Sequence, residues 1–316
     1  MSALCIAHQF DDAMHDWLRQ RLPAGTRLDQ LSAHDPWGVP AGTTVLLVTN
    51  GKLRSLTRDR PIWADALEWM HIWPTGLDDA PGWLFDLPHV TVSRGAAAVA
   101  IAEYVLATML DFEKRPTALR VTSAAAWTPA TPGGLRGRSL GLFGFGEIGR
   151  AVAHRALAFG MTVRATRRQS QTPAPDGVAF VSLDQLCATS DHLVLCAPLT
   201  PDTVGLFDDA RFAQCQAGQH LINVARGALI RPESLRSALG ARIARASLDV
   251  WTVEPPPEGH WVYDHPHVHL TAHTSSRGPS TEARLRDILH GNLAAWLQSR
   301  PADLFGRVDP DQRYKA

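Results

Sequence analysis

Apolar residues along this chain come in short runs broken by turn residues, and the character of the runs changes near position 96. Before it, Leu4–Ala7, Thr44–Thr49 and Met70–Trp73 are brief apolar stretches. The second ends at Asn50-Gly51 and the third at Pro74-Thr75-Gly76, a pattern that predicts buried strands closed by turns. Between them, Trp63, Leu67 and Met70 recur at the intervals of one helix face, so a strand–helix–strand rhythm is predicted. Residues 96–112 are alanine-rich, contain no Gly or Pro, and carry Val99, Tyr104, Leu106 and Leu110. They predict a long, largely buried helix. From Ser139 onward, strands are predicted at Ser139–Phe143, Thr162–Ala165, Ala179–Ser182, Leu193–Cys196, His220–Val224 and Ala246–Val250, with helical stretches between them. Strands alternating with helices imply an α/β fold with parallel, doubly wound sheets. Leu285, Ile288, Leu289, Leu293 and Trp296 then mark a closing amphipathic helix.

A length of 316 residues exceeds what one core ordinarily supports, so about two domains are expected. The 31 basic and 31 acidic side chains cancel, and no block of like charge occurs. That argues against a nucleic-acid partner. No apolar run reaches the roughly 18 residues needed to span a bilayer, so no membrane role is expected. The first residues, MSALCIAHQFDD, lack the basic start and long apolar core of a signal peptide. Cys5, Cys187, Cys196 and Cys215 form no CxxC pair or regular framework, as in proteins of a reducing compartment, and the reading is cytoplasmic. Pro116 through Gly137 is rich in Ala, Thr, Pro and Gly around Trp127. It reads either as a linker or as an arm that packs on another subunit.

The most informative segment follows the strand SLGLF. There Gly144-Phe145-Gly146-Glu147-Ile148-Gly149 leads into the helical stretch RAVAHRALAFG. In a strand–loop–helix of this kind the first glycine makes the tight turn and the second lets a pyrophosphate approach the backbone. The third lets helix and strand pack closely, and the N–H groups at the helix start favour phosphate charge. The context predicts a dinucleotide site, and a coincidental glycine turn is the weaker alternative. Sites for NAD usually carry an acid about 20 residues on, for the ribose 2′-hydroxyl. Here the chain reads Val163-Arg164-Ala165-Thr166-Arg167-Arg168, and no acid occurs before Asp176. Two guanidinium groups suit a 2′-phosphate, so NADP(H) is the preferred cofactor and NAD(H) the alternative. Arg167 and Arg168 simply facing solvent is the plainer reading.

Five segments, GLFGFGEIGRAVAHRALAFGMTV, CAPLTPDTVGLF, LINVARGALI, ASLDVWTVEP and HVHLTAHTSS, occur in the order found in the D-isomer-specific 2-hydroxyacid dehydrogenases. The chain resembles that family from about residue 96 to 276, whereas the N-terminal third matches only in rhythm. The resemblance implies two Rossmann-like domains with the active site in the cleft between them. Residues 1–95 plus 276–316 would form the substrate domain and 96–275 the dinucleotide-binding domain. It implies hydride transfer between NADP(H) and a small 2-keto or 2-hydroxy acid, of the glyoxylate or hydroxypyruvate kind, in a homodimer. The catalytic trio it implies is Arg226, Glu254 and His273. His273 would be the acid, since an imidazole titrates near neutral pH. Glu254 would hold the other ring nitrogen. Arg226 would hold the substrate carboxylate in its forked donor set.

The resemblance also assigns cofactor contacts to Gly144, Gly146, Glu147, Ile148, Gly149, Thr166, Arg167, Arg168, Ala197, Pro198, Thr203, Val224, Ala225, Arg226, Asp249, His273 and Ser275. Thr75 and Gly76, with Arg226 and His273, would meet the substrate. Each of these residues has a plainer reading, as a cap, a strand terminator such as Pro198, or an exposed loop residue. His265, His267, His269 and His273 alternate as metal ligands on a strand face would, but Pro266 interrupts them and no matching ligand pair occurs elsewhere. The expectation is therefore no metal. Two rivals remain. One is a dehydrogenase of another small anion, of the phosphite or formate type, although formate enzymes of this superfamily pair their histidine with Gln, where this chain has Glu254. The other is a binding protein that senses nicotinamide levels, since a fold alone does not settle function.

Overall fold

The computed structural model describes residues 4–73, 75–167 and 173–308. The chain divides into two compact units, Met1–Ala96 with Glu282–Ala316, and Ala97–Thr281. We call them the split unit and the central unit.

The split unit opens with β1 (Cys5–His8), α1 (Asp12–Arg19), β2 (Arg27–Gln30), β3 (Val45–Thr49), β4 (Trp69–Trp73) and β5 (His89–Val92). Its strands form one parallel sheet in the order β2-β1-β3-β4-β5. Asp11 starts α1 by accepting the Met14 N–H at 2.9 Å, which satisfies one of the free donors at a helix start. The helix predicted through Trp63, Leu67 and Met70 does not form. A 3-10 turn over Ile62–Ala66 follows Pro61, and Leu67 is extended at φ −72, ψ 128, which releases the chain into β4. Leu67 and Met70 are buried in one core with Ala64, and Trp63 packs against it. Shared burial of residues from two elements therefore imitated a helix face.

The central unit contains α2 (Ala98–Lys114), β6 (Ser139–Phe143), α3 (Glu147–Ala158), β7 (Thr162–Thr166), β8 (Val178–Phe180), α4 (Leu183–Thr189) and β9 (His192–Leu195). It continues with α5 (Asp209–Gln214), β10 (Gln219–Asn223), α6 (Pro232–Ala238), β11 (Ile243–Leu248) and β12 (Val268–Leu270). The last helix, α7 (Pro279–Leu297), begins in this unit and continues into the split unit. Seven parallel strands run in the order β12-β11-β10-β9-β6-β7-β8. Successive strand residues point to opposite faces, and both faces are covered. Leu140, Leu142, Val194 and Ile222 pack with α2 and α3. Phe143, Leu193, Leu195 and Leu221 pack with α4, α5 and α6. This double burial explains the nearly continuous apolar strands.

The strand order reverses between β6 and β9, the point where ligands bind outside the carboxyl ends of such sheets. Between α2 and β6 the chain carries only a 3-10 turn at Ala124–Ala126, and Trp127 is 78% exposed. Among the described residues, no helix is long and apolar enough to cross a membrane.

Candidate active site

The candidate residues of the central unit all lie at or just beyond the carboxyl ends of its strands. Gly144 to Gly149 follow β6, Thr166 ends β7 and Arg167 follows it, and Ala197 and Pro198 follow β9. Val224 to Arg226 follow β10, Asp249 follows β11, and His273 follows β12. One sheet edge thus gathers side chains drawn from more than a hundred residues of sequence.

Within the glycine loop, the three glycines meet different surroundings. Gly144 has φ +104, and a β-carbon there would lie 2.7 Å from the Ala197 nitrogen, so the loop is pressed against the end of β9 at the switch point. A β-carbon at Gly149 would lie 2.6 Å from the Gly144 oxygen, so α3 docks directly on the turn. Gly146, in contrast, faces nothing within 4 Å. It is the N-cap of α3 and provides no side-chain cap, and Glu147 and Ile148 begin the helix. Open space over uncapped helix N–H groups is what a pyrophosphate needs. The residues present therefore fit a dinucleotide.

Beyond β7, the Thr166 hydroxyl accepts the Gly144 N–H at 3.3 Å, which ties the two loops together. The Arg167 guanidinium lies 5.9 Å from the centre of the Phe180 ring. Arg168 lies outside the described residues. After β9, the Thr203 hydroxyl donates to the Pro198 carbonyl at 2.9 Å and accepts the Thr200 N–H at 2.7 Å, so the loop 198–203 is closed on itself. Val224 and Ala225 are buried, and their contribution to this edge is main-chain and apolar.

Arg226 is half-buried and extended, at φ −144, ψ 139. Its guanidinium donates to the Ala225 carbonyl at 2.8 Å, and its own carbonyl accepts the Asn223 amide at 2.9 Å. The next residue, Gly227, has no room for a β-carbon, which would overlap the backbone of Trp251 and Thr252. This close approach brings the Arg226 loop against the loop that carries Glu254.

His273 and Glu254 form a pair, with imidazole Nδ1 2.8 Å from carboxylate Oε2. The other carboxylate oxygen accepts the Trp251 N–H at 3.0 Å. A carboxylate accepts, so Nδ1 carries the proton and Nε2 is the nitrogen available for exchange. The side chains are 47% and 33% exposed, so the pair is reachable from solvent. His273 has φ 49, in the left-handed region, where a residue with a β-carbon is costly and needs support. Asp249, only 1% exposed, supplies it. Its carbonyl accepts the His273 N–H at 2.8 Å. Its carboxylate accepts the N–H groups of Thr274 and Ser275, each at 2.9 Å, and the Thr271 hydroxyl at 2.6 Å.

In the histidine row, the His265 and His267 rings lie 5.8 Å apart. His267 Nδ1 bonds the Ala244 carbonyl at 2.8 Å, and His269 Nδ1 lies 2.9 Å from Arg245. Among the described residues, no group of three or more His, Cys, Asp or Glu side chains is arranged to hold a metal ion.

In the split unit, Thr75 and Gly76 follow β4, and the Thr75 hydroxyl donates to the Ser93 carbonyl at 3.0 Å. Behind them is a buried cluster that pattern reading did not reveal. His71 Nδ1 lies 2.8 Å from the Thr91 hydroxyl and Nε2 3.1 Å from the Ser93 hydroxyl. Burial pushes the His71 imidazole down to about 3, so it is neutral. No motif announces this cluster. The only trace is a polar residue inside the apolar run of β4.

Comparison with known proteins agrees with this geometry. Residues 106–275, more than half of the chain, match the family described as D-isomer specific 2-hydroxyacid dehydrogenase, NAD binding domain. Glyoxylate/hydroxypyruvate reductase A of Yersinia enterocolitica is 33% identical over 197 residues, which cover 60% of this chain and 62% of that one. D-3-phosphoglycerate dehydrogenase 2 of Arabidopsis thaliana is 37% identical over 186 residues, covering 56% of this chain and 30% of that one. The matched stretches thus span less than two thirds of either relative. A D-isomer specific 2-hydroxyacid dehydrogenase family protein from Aeromonas salmonicida superposes with a TM-score of 0.80 at 25% identity, covering 98% of this chain and all of that one. With its strand order, its glycine loop and its matched segment taken together, the chain belongs to the D-isomer specific 2-hydroxyacid dehydrogenase family.

Proposed function

We propose that this chain reduces a small 2-keto acid to the 2-hydroxy acid with NADP(H), in the manner of a glyoxylate or hydroxypyruvate reductase. The observation that carries this reading is the His273–Glu254 pair at 2.8 Å. It holds a solvent-reachable imidazole in one tautomer at the sheet edge where the glycine loop also opens. In this reading the central unit binds the nucleotide and the split unit, through Thr75 and Gly76, meets the substrate.

When bound, the reduced nicotinamide supplies the hydride that reaches the carbonyl carbon. His273 then donates its proton to the carbonyl oxygen, and the imidazole is recharged from solvent. Glu254 holds Nδ1 and so keeps Nε2, the nitrogen that makes this donation, facing the substrate. Arg226 engages the substrate carboxylate through its fork. The pyrophosphate would lie over Gly146 and the first turn of α3. Arg167 would meet the 2′-phosphate, supported by the lack of an acid at the end of β7. We further propose a homodimer built on residues 116–138, supported by the exposure of Trp127 on a segment with almost no regular structure.

Initial rates of NADPH oxidation with glyoxylate, hydroxypyruvate and pyruvate test the reading, with NADH in parallel and D-3-phosphoglycerate oxidation as the competing assay. Turnover of one 2-keto acid with NADPH favoured supports it. A clear preference for NADH removes the cofactor assignment. Turnover confined to D-3-phosphoglycerate would replace the substrate class.

A further inference from the structure

The support beneath His273 extends further than Asp249. Tyr104, in the second turn of α2, places its hydroxyl 2.8 Å from the Thr271 hydroxyl. Thr271 is in turn 2.6 Å from Asp249 Oδ1. The direction of this chain of bonds follows from donor chemistry. A carboxylate has no proton to give, so the single Thr271 hydroxyl proton is directed at Asp249. Thr271 must then accept, and the Tyr104 hydroxyl is the donor.

The bonds run from Tyr104 to Thr271 to Asp249, and Asp249 holds the backbone of the three residues that follow Ala272. Those residues are His273, Thr274 and Ser275. Burial pushes the Tyr104 phenol above its ordinary value, so it remains a proton donor through the whole working range. The ring itself packs against the core shared by α2 and α3, a role that phenylalanine would fill equally well. The hydroxyl is therefore the part whose presence packing does not explain.

We propose that Tyr104 is a positioning residue for the acid–base histidine. Its hydroxyl orients Thr271 toward Asp249 and so holds residues 271–275 in the conformation that sets His273 against Glu254. The proposal rests on the reading of His273 as the proton donor only in its kinetic consequence, while its structural part stands on the hydrogen bonds alone.

Tyr104→Phe removes one hydroxyl and keeps the ring. Two measurements on the full-length protein separate the issues. In amide hydrogen exchange, His273, Thr274 and Ser275 should exchange roughly three- to tenfold faster in the variant, the factor set by losing one hydrogen bond of ordinary net strength. The amides of β6 and α3 should not change. Unchanged exchange at 273–275 overturns the proposal whether or not the protein turns over any 2-keto acid. In steady-state kinetics, kcat should fall by a similar factor with KM for the nicotinamide cofactor unchanged. A rise in cofactor KM with kcat intact would show Tyr104 acting on the nucleotide loop instead, and would also overturn it. Thr271→Val, which deletes the bond to Asp249 as well as the acceptor of Tyr104, should be at least as severe as Tyr104→Phe in both measurements, and the double variant should be no worse than Thr271→Val alone, because both break the same chain of bonds. Additive losses would mean that the two hydroxyls act separately. Should the wild type reduce none of the acids, the functional reading fails, and the exchange data still decide the role of Tyr104.

Discussion

His273 is held at both ends, its ring by Glu254 and its backbone by Asp249, and this accounts for a non-glycine residue at φ 49. Strain of this sort persists only where the surroundings over-determine it, and here three backbone N–H groups and one hydroxyl converge on a single aspartate. Substituting His273→Gln keeps a polar side chain but removes the transferable proton. The expected loss in kcat is about a hundred- to ten-thousandfold, the usual worth of a positioned acid, with cofactor binding, read by fluorescence titration, little changed. A variant with kcat near wild type would remove His273 from the chemistry. Arg167 permits a more selective test, because only one of the two cofactors carries a 2′-phosphate. Arg167→Ala should raise KM for NADPH by roughly tenfold or more, since a charge-assisted hydrogen bond is worth about 1.5–3 kcal/mol. KM for NADH should stay where it was. Equal effects on the two cofactors would place Arg167 away from the phosphate.

Whether these side chains meet depends on how closely the loops after β10 and β11 approach, and Gly227 sets that approach. Gly227→Ala would drive a β-carbon into the backbone of Trp251 and Thr252. Backbone has little freedom to yield, so the variant should lose about 1–3 kcal/mol in urea unfolding, as overpacked sites do. It should also lose activity through displacement of Glu254. A variant as stable as the wild type would mean that the loops separate easily. The same elements explain what was legible in the chain. The strand predicted at Ser139–Phe143 is β6 to the residue, because the apolar run ends at Gly144, whose φ of +104 leaves the extended region. Arg226, Glu254 and His273 stand out as candidates because each lies in a short segment with its own signature, and His273 and Glu254 are 2.8 Å apart. In contrast, β2 reads Arg-Leu-Asp-Gln, an edge strand with too little apolar character to register. The Tyr104–Thr271 bond joins residues 167 apart, and no local pattern encodes a contact at that range. Nor does periodicity distinguish Trp63 and Met70 on one helix from the same residues on two elements sharing a core.

Both units contain histidines that folding keeps neutral, and this makes the stability of the whole chain depend on acid. Burial pushes His71 down to about 3 and His8 down to about 4, and it lowers His192 to about 4 against the pull of the buried Glu113 carboxylate 3.3 Å from its Nε2. His220 is also held well below its ordinary value by burial and by the neighbouring His192, 3.1 Å away through the two Nδ1 atoms. In the unfolded chain each of these imidazoles titrates near 6.5. Below that pH the unfolded chain binds protons that the folded chain refuses, so unfolding takes up protons and stability rises with pH. The contribution is complete well above about 6.5 and is lost progressively as pH falls toward 4, at up to about 1.4 kcal/mol per pH unit for each histidine. His8 and His71 lie in the split unit and His192 and His220 in the central unit, so acid should weaken both together rather than peel one away. Urea unfolding followed at pH 7.5, 6.5, 5.5 and 4.5 should show midpoints that fall modestly between the first two, where the unfolded imidazoles begin to take up protons, and steeply across the last two. His71→Gln should reduce that slope by the equivalent of one proton, whatever its effect at pH 7.5, because glutamine has no proton to take up. A slope identical to that of the wild type would mean that the folded protein admits a charge at His71, and that the Thr91 and Ser93 hydroxyls can rotate to accept both of its protons.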